Sequence, residues 1–357
     1  MRLRQTVLLV TSACAMASCG MDRSSVAYGT PTSIIVIATD QVWESLGDSL
    51  RTALEPVVFT LRDERAFDVT HVVPNDPRVS EYRKFRQVLV IGRPDDPWVA
   101  PAVGRAKDAP VGLPALLEVD DVWAFGQHVT AIALDPQSPP SAGLPVFGDV
   151  RRGVDERFRF YMLQRMYVSG VNEDLAERLR EESGFSLILP RVYREVPAEG
   201  VRIFKNDLPD PWILARYVQI EAVGGARTDV TTEELLDWRD SVVTNYPRRM
   251  ITVRDPLIES TLEGGVLEVQ GRWQTPEPDP DSGETYHPGG GAFISRVVSC
   301  AEQDRTYFID SWLYAPGKDK LEYVMQLRTI LGTFECGGAT AAPAEVALRS
   351  PNGDDRA

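Results

Sequence analysis

Histidine and cysteine are scarce in this chain, and their spacing limits the metal and cofactor sites that it could form. The 357 residues include 3 histidines and 4 cysteines. His71, His128 and His287 lie far apart, and the chain contains neither a His-Glu-x-x-His motif nor a paired-cysteine motif. We expect His128 to be a core or strand-edge residue and His287 to open a glycine-rich loop. The sequence therefore predicts no metal and no cofactor.

Positive charge is also in short supply. The chain has 38 lysines and arginines against 52 aspartates and glutamates, which gives a formal net charge of -14. This balance argues against binding to nucleic acid and against electrostatic adhesion to anionic lipids. Long apolar runs are missing too, since no segment approaches the roughly 20 residues that a membrane-spanning helix needs.

The N-terminus carries the pattern of a bacterial lipoprotein signal. Arg2 and Arg4 precede a short apolar stretch over residues 6–17, and small residues lead into Cys19. Residues 1–18 are therefore predicted to be a cleaved signal peptide, and the thiol of Cys19 is predicted to carry acyl chains such as palmitate. An ordinary secretory signal with an incidental cysteine is the alternative.

A lipoprotein signal places the mature chain in the bacterial cell envelope. Gly20 stands where aspartate would indicate retention at the inner membrane, so we expect anchoring at the periplasmic face of the outer membrane. Residues 19–30 would form a tether between the lipid and the fold. The membrane is thus the expected partner, and it is reached through the N-terminal lipid.

Two cysteines remain once Cys14 leaves with the signal and Cys19 is acylated. Residues 292–300 and 306–314 predict a hairpin, and residues 319–334 predict a closing helix, so Cys300 and Cys336 should meet at one edge of a sheet. An oxidising compartment favours a disulfide between such cysteines. Two free buried thiols are the alternative.

The first half of the mature chain, residues 31–183, alternates strands with helices. Strands are predicted over residues 33–38, 67–73, 87–91 and 122–134, and helices over residues 42–54, 154–167 and 172–182. Prolines between residues 94 and 114 indicate a long irregular connection. This alternation predicts an α/β layer.

The second half, residues 184–336, changes to a strand meander. Further strands are predicted over residues 185–189, 191–196, 201–205, 212–221 and 265–273. A capping box over residues 231–234 begins a helix, which is expected to cover an antiparallel sheet together with the closing helix. The predicted fold class is α+β, and the Ala/Pro/Gly-rich residues 337–357 are predicted to be a disordered tail.

Several short motifs of the second half occur in an order that resembles a known family. They are Arg254-Asp255, Gly271-Arg272-Trp273, Gly290-Gly291-Ala292-Phe293, Tyr314-Ala315-Pro316 before a lysine-bearing helix, and Gln326-Leu327. With the lipoprotein signal, this order resembles the bacterial lipoprotein family called domain of unknown function 4837 (DUF4837), over nearly the whole mature chain. The resemblance implies a two-part envelope lipoprotein without an assigned activity. The meander is also weakly similar to the PsbP-like fold, a scaffold used mostly for binding.

Two groups of residues in the second half are candidates for ligand binding. Arg254 and Asp255 stand beside a strand and could bind a carboxylate, and the alternative is an ion pair within the protein. Trp212, Trp273 and Trp312 come from three predicted strands of one sheet and could line a groove for a sugar or an apolar ligand. Their alternative role is core packing beneath the helices.

The chain also contains a motif that looks catalytic. Residues 47–50 spell the Gly-Asp-Ser-Leu signature of GDSL hydrolases, and residues 68–71 spell their Asp-x-x-His. However, Ser49 falls inside a predicted helix whose apolar face needs Leu46 and Leu50. We therefore assign no catalytic residue and favour a non-catalytic binding module, whose partner is an unidentified envelope protein or a small ligand. A hydrolase of envelope esters or glycans is the alternative function.

Overall fold

The structure is a computed structural model that describes residues 25–108, 112–208, 214–243, 250–276 and 289–337. Cys19 and the predicted signal peptide, Trp212, His287 and the predicted tail from residue 338 onward lie outside the described residues. The first half contains β1 (Ser33–Ile37), α1 (Asp40–Leu54), β2 (Val57–Phe59), β3 (Asp63–Arg65), β4 (Asp68–Val72), α2 (Val79–Tyr82), β5 (Gln87–Gly92), α3 (Ala100–Arg105), β6 (Ala115–Asp120), β7 (His128–Ala133), α4 (Phe147–Met166) and α5 (Glu173–Ser183). The second half contains β8 (Phe185–Ser186), β9 (Arg194–Val196), β10 (Arg202–Leu208), β11 (Leu214–Gly224), α6 (Thr232–Val243), β12 (Ile251–Thr261), β13 (Leu267–Gln274), β14 (Gly290–Cys300), β15 (Arg305–Tyr314), α7 (Leu321–Leu331) and β16 (Glu335–Cys336).

The sheet of the first half is mostly parallel and has the strand order β4-β1-β5-β7-β6. Only β6 runs antiparallel to its neighbour. Every residue of β5 and β7 is buried, as expected for parallel strands that are covered on both faces. The helices α1 and α4 pack on one face through side chains such as Leu46, Leu50 and Phe158, and α3 packs on the other through Ala102.

The sheet of the second half is antiparallel and has the strand order β12-β13-β14-β15-β11-β10-β9. Side chains alternate between its faces along each strand. Phe293 and Trp312 lie on the face under α6, where they pack with Leu235. Ile294 and Leu313 lie on the opposite face, which α5 and α7 cover. The predicted α+β class is confirmed, with helices on both faces of this sheet.

Two edge strands, β6 and β12, lie where the sequence analysis predicts none. Pro256 interrupts β12, and the pairing of β12 with β13 shifts register between Val253 and Ile258. Proline lacks the N–H that a central strand must donate, so it is tolerated at a sheet edge. The predicted strand over residues 122–134 is shorter in the structure, because residues 121–127 form the connection from β6 to β7.

Cys300 and Cys336 form the predicted disulfide, with 5.7 Å between their Cα atoms. Cys300 ends β14 and is buried, whereas Cys336 lies in the short strand β16 and is exposed. Because β16 pairs with β8, the disulfide fastens the C-terminal end of the described chain beside the start of the second half.

The two halves are joined by contacts with α7 and β13. The Glu64 carboxylate on β3 accepts hydrogen bonds from the backbone amides of Lys320 and Leu321, both at 2.9 Å, at the start of α7. Gln270 donates a hydrogen bond of 2.7 Å to the backbone oxygen of Phe59. Leu321 itself packs within the apolar core of the first half.

Candidate functional site

Arg254 is held by the acidic face of α6. Its guanidinium lies 2.6 Å from a Glu233 oxygen, 2.8 Å from an Asp237 oxygen and 2.8 Å from an Asp240 oxygen. Residues three and four positions apart share one helix face, so the three carboxylates converge on one cation. Asp255 is exposed, and its backbone oxygen accepts a hydrogen bond from Arg272. Arg254 is thus engaged within the protein rather than directed at an open site.

Trp273 and Trp312 are brought together in the core beneath α6. They are 3% and 5% exposed, and their rings meet edge to face with centroids 5.6 Å apart. Trp312 stacks on Tyr217 at 4.0 Å, and the Trp273 indole N–H donates a hydrogen bond to the Leu313 backbone oxygen. Neither tryptophan lines either of the two cavities described below.

A buried ion pair lies in the same layer. Arg239 Nε on α6 lies 3.0 Å from Asp310 Oδ1 on β15, and neither side chain is exposed. Ser295 and Gln219 also donate hydrogen bonds to the Asp310 carboxylate, and Phe293 lies under the guanidinium. Neither residue of this pair was predicted from the sequence as a site residue. The available signal was an arginine four residues after Leu235 on the apolar face of a helix.

The GDSL-like residues Ser49 and His71 lie on different elements, α1 and β4. Ser49 is exposed on α1, while Leu46 and Leu50 beside it are buried. The His71 ring stacks on Trp43 with centroids 4.4 Å apart, and its Nε2 contacts the backbone oxygen of Ala38. Among the described residues, no serine is hydrogen-bonded to His71.

His128 lines a cavity of about 310 Å³ at the beginning of β5 and β7. Its Nδ1 lies 3.0 Å from Asp120, and its Nε2 lies 3.9 Å from Glu118. Arg157 lies 3.6 Å from the same Asp120 carboxylate. The Nε2 atom of His128 also lies 3.4 Å from the hydroxyl oxygen of Thr130, which is buried on the same strand.

A larger groove opens at one end of the second sheet, and we call it the end groove. It encloses about 1120 Å³ and is bounded by α5, the β9–β10 hairpin, the C-terminal end of β11 and the first residue of β15. Its apolar lining includes Phe185, Val196, Val201, Ile220 and Val223. No candidate residue of the sequence analysis lies in this groove.

In the part of the chain that the structure describes, the charged residues that line the end groove are three arginines and two glutamates. Arg178 lies 2.6 Å from Glu195, and Arg202 lies 2.8 Å from Glu195 and 3.0 Å from Glu182. Hydrogen bonding to Glu195 raises the pKa of Arg202. Arg305 is exposed and has no ion pair or hydrogen bond from its side chain within the described ranges. The groove therefore presents one uncompensated positive charge in an acidic protein.

In the parts of the chain that the structure describes, no three histidine, cysteine, aspartate or glutamate side chains are grouped to hold a metal ion. Within the same described ranges, no helix combines the length and the apolar character that crossing a membrane requires.

Comparison with solved structures gives only distant likenesses. The chain is 8% identical to the Saccharomyces cerevisiae Ran-binding protein Mog1p, with a TM-score of 0.30 over 43% of this chain and 90% of that one. It is 10% identical to the human StAR-related lipid transfer protein 5, with a TM-score of 0.20 over 48% of this chain and 93% of that one. We draw no conclusion from either. No curated protein matches the chain.

Two domain families match the chain, one in each half. Residues 27–136 match the domain of unknown function DUF8532. The family that the motifs of the second half indicate therefore does not extend over the first half, contrary to the expected resemblance over nearly the whole mature chain. Residues 176–333 match the domain of unknown function DUF4837. The predicted resemblance to the DUF4837 family is therefore confirmed over residues 176–333.

Proposed function

We propose that this protein is a lipid-anchored, non-catalytic protein of the bacterial cell envelope that binds an anionic ligand in the end groove. The observation that carries this proposal is the unpaired guanidinium of Arg305 beside an apolar wall. The remaining charged side chains of the groove neutralise one another, so Arg305 is the one that a ligand can engage without breaking an existing ion pair.

The lining also defines the chemistry of the ligand. An anionic group would meet Arg305 at the end of the sheet where β15 begins, and an apolar portion would cover Val201, Ile220 and Val223. A volume of about 1120 Å³ suits an extended molecule rather than a single small ion. An anionic amphiphile has both properties.

Binding without catalysis fits the polar groups of the groove. Among the described residues its lining contains no histidine and a single serine, Ser183, whose hydroxyl accepts a hydrogen bond from Arg202 at 3.1 Å. A nucleophile needs a base within hydrogen-bond reach, and Arg202 cannot accept a proton. No observation favours a hydrolase reaction in this groove.

The anchor rests on the sequence around Cys19, and the disulfide supports it. Disulfides persist in oxidising compartments such as the periplasm, which is where the lipoprotein signal would deliver the chain. We accordingly assign Cys19 as the acylated residue and the periplasmic face of the outer membrane as the location.

The experiment measures which envelope compounds the purified mature protein retains. The protein is incubated with an extract of envelope lipids and small molecules and washed, and the retained compounds are identified by mass spectrometry. We expect an anionic amphiphile to be retained, and we expect Arg305→Gln to reduce its retention at least tenfold. Such a loss corresponds to one charge-assisted hydrogen bond of about 1.4 kcal/mol or more.

Arg93→Gln is the matched control, because Arg93 is an exposed arginine of the first half and lies outside the end groove. Its retention should equal that of the wild-type protein. Retention of no specific compound, or equal retention by the Arg305→Gln and wild-type proteins, would contradict the proposal.

A further inference from the structure

The first described residues carry a cluster of exposed apolar side chains. Val26 is 69% exposed, Phe125 is 65% exposed and Tyr28 is 42% exposed. Val26 pairs with Phe125 and Tyr28 pairs with Phe85 through isolated β-bridges, which place these side chains on one surface. We call Val26, Tyr28 and Phe125 the N-terminal patch. Large apolar residues that are exposed side by side indicate a contact surface.

The backbone of this segment is firmly attached to the first half. The Ala27 amide donates to the Phe125 oxygen at 2.9 Å, and the Phe125 amide donates to the Ser25 oxygen at 2.8 Å. The Arg86 amide donates to the Tyr28 oxygen at 2.8 Å. Residues 25–30, which the sequence analysis assigns to the tether, therefore include a stretch that is bonded to the fold.

The position of Ser25 limits how far the fold can lie from a membrane that holds Cys19. The two residues are six positions apart (25 − 19 = 6). Each residue spans at most about 3.3–3.6 Å, so the two Cα atoms are separated by no more than roughly 20 Å in any conformation. The six residues of β7 span a similar distance of roughly 17 Å along the sheet from the first Cα atom to the last.

From this reach and this exposure we propose that the N-terminal patch rests in the headgroup region of the membrane that anchors Cys19. The inference depends on the proposed lipid anchor and adds the orientation of the fold. Aromatic and aliphatic side chains are favoured at the membrane interface. The net charge of -14 opposes attraction to anionic lipids, so the contact is apolar and needs no negatively charged lipid.

The experiment places a fluorescent label on the patch in the mature acylated protein. In the variant Phe125→Cys the new thiol is the only one free, because Cys14 leaves with the signal peptide, Cys19 carries the lipid and Cys300 is joined to Cys336. The labelled protein is reconstituted in vesicles of phosphatidylcholine and phosphatidylethanolamine whose acyl chains carry bromine. We expect the emission to shift to shorter wavelength and at least half of its intensity to be quenched.

Leu144→Cys, labelled in the same way, is the matched control. Leu144 is also exposed, and its neighbour Gly143 packs on Leu134, just beyond the far end of β7. We expect its emission to be unchanged by the brominated vesicles. Equal quenching at both positions would overturn the proposal, because the surface in contact would not be the patch.

The lipid anchor and the orientation can fail separately. The protein could sediment with vesicles, and mass spectrometry could show that Cys19 is acylated, while the label at position 125 is not quenched. In that case the proposed membrane contact of the N-terminal patch is wrong and the proposed anchor stands. If Cys19 is not acylated and the protein stays in the supernatant, the anchor is wrong, and the orientation that depends on it is overturned as well.

Discussion

Gly291 explains at the residue scale why one motif of the second half requires glycine. A Cβ atom at this position would lie 1.7 Å from the backbone oxygen of Leu313, on the neighbouring strand β15. It would also crowd the Trp273 indole nitrogen, which donates a hydrogen bond to that same oxygen. The close approach of two backbones excludes every side chain.

Gly291→Ala is therefore expected to lower the free energy of unfolding by about 3 kcal/mol, the upper end of the usual cost of overpacking. Urea denaturation followed by circular dichroism measures this change. Gly224→Ala in β11 of the same sheet is the control, since a Cβ atom there meets nothing within 4 Å. A similar small effect for both variants would contradict the steric explanation.

Tyr193 shows the cost of a buried hydroxyl. It is 4% exposed, and its oxygen has no hydrogen-bond partner in the described ranges. Burial raises its pKa from 10.0 to about 12. Above pH 10 the unfolded chain releases the phenolic proton while the folded protein keeps it, so stability falls as the pH rises toward 12.

Tyr193→Phe should remove this contribution, which is about 1.4 kcal/mol per pH unit in that window. At pH 7 we expect the free energy of unfolding of this variant to lie between the wild-type value and about 1 kcal/mol above it, because no hydrogen bond is lost. Denaturation at pH 7, 10 and 11 tests both statements. An unchanged slope above pH 10 in the variant would show that Tyr193 does not cause the loss.

At the scale of elements, α7 begins at a carboxylate that the other half supplies. Glu64 is 9% exposed and accepts hydrogen bonds from two amides of the first turn. Glu64→Ala leaves these amides buried and unsatisfied, so we expect a loss of about 2–3 kcal/mol in the free energy of unfolding. Asp63→Ala, an exposed change in the same strand, should alter stability by less than about 0.5 kcal/mol. Chemical denaturation measures the free energy of unfolding of both variants. Equal losses would contradict the role of Glu64 in capping the start of α7.

The elements that the sequence predicts are those whose signal is local. The stripe of Leu46, Leu50 and Leu54 identifies α1, and the β-branched run over residues 33–38 identifies β1. The strand β12 could not be predicted in this way, because Pro256 and several charged residues remove its alternation. Its partner β13 and its position at the sheet edge make it a strand, and neither is visible in the local sequence.

The candidate site was hidden for a related reason. The end groove draws Arg178, Glu195, Arg202 and Arg305 from four separate elements, and their sequence context is that of ordinary surface residues. The tryptophans stand out in the sequence, but the structure uses Trp273 and Trp312 for packing. Sequence reasoning therefore reached the fold class and the disulfide, and it did not reach a cavity assembled from distant segments.

At the scale of the whole molecule, an apolar contact joins the two halves, and we expect them to open together. Leu321 on α7 packs among the apolar residues of the first half. Leu321→Ala leaves a cavity where this side chain packs. We therefore expect the free energy of opening that protects the backbone amides to fall by about 2–3 kcal/mol in both β5 and β14. Hydrogen exchange read by mass spectrometry separates the two strands. Loss of protection in β14 alone would mean that the halves open independently.

The position of the disulfide also orders the assembly of the chain in time. Cys300 precedes Cys336 by 36 residues, and this interval contains β15 and α7. On the proposed export route, which starts from the N-terminus, Cys300 would reach the oxidising side before Cys336. In the folded protein β15 and α7 bring the two cysteines together, so we expect the packing of this strand and this helix to favour the native disulfide.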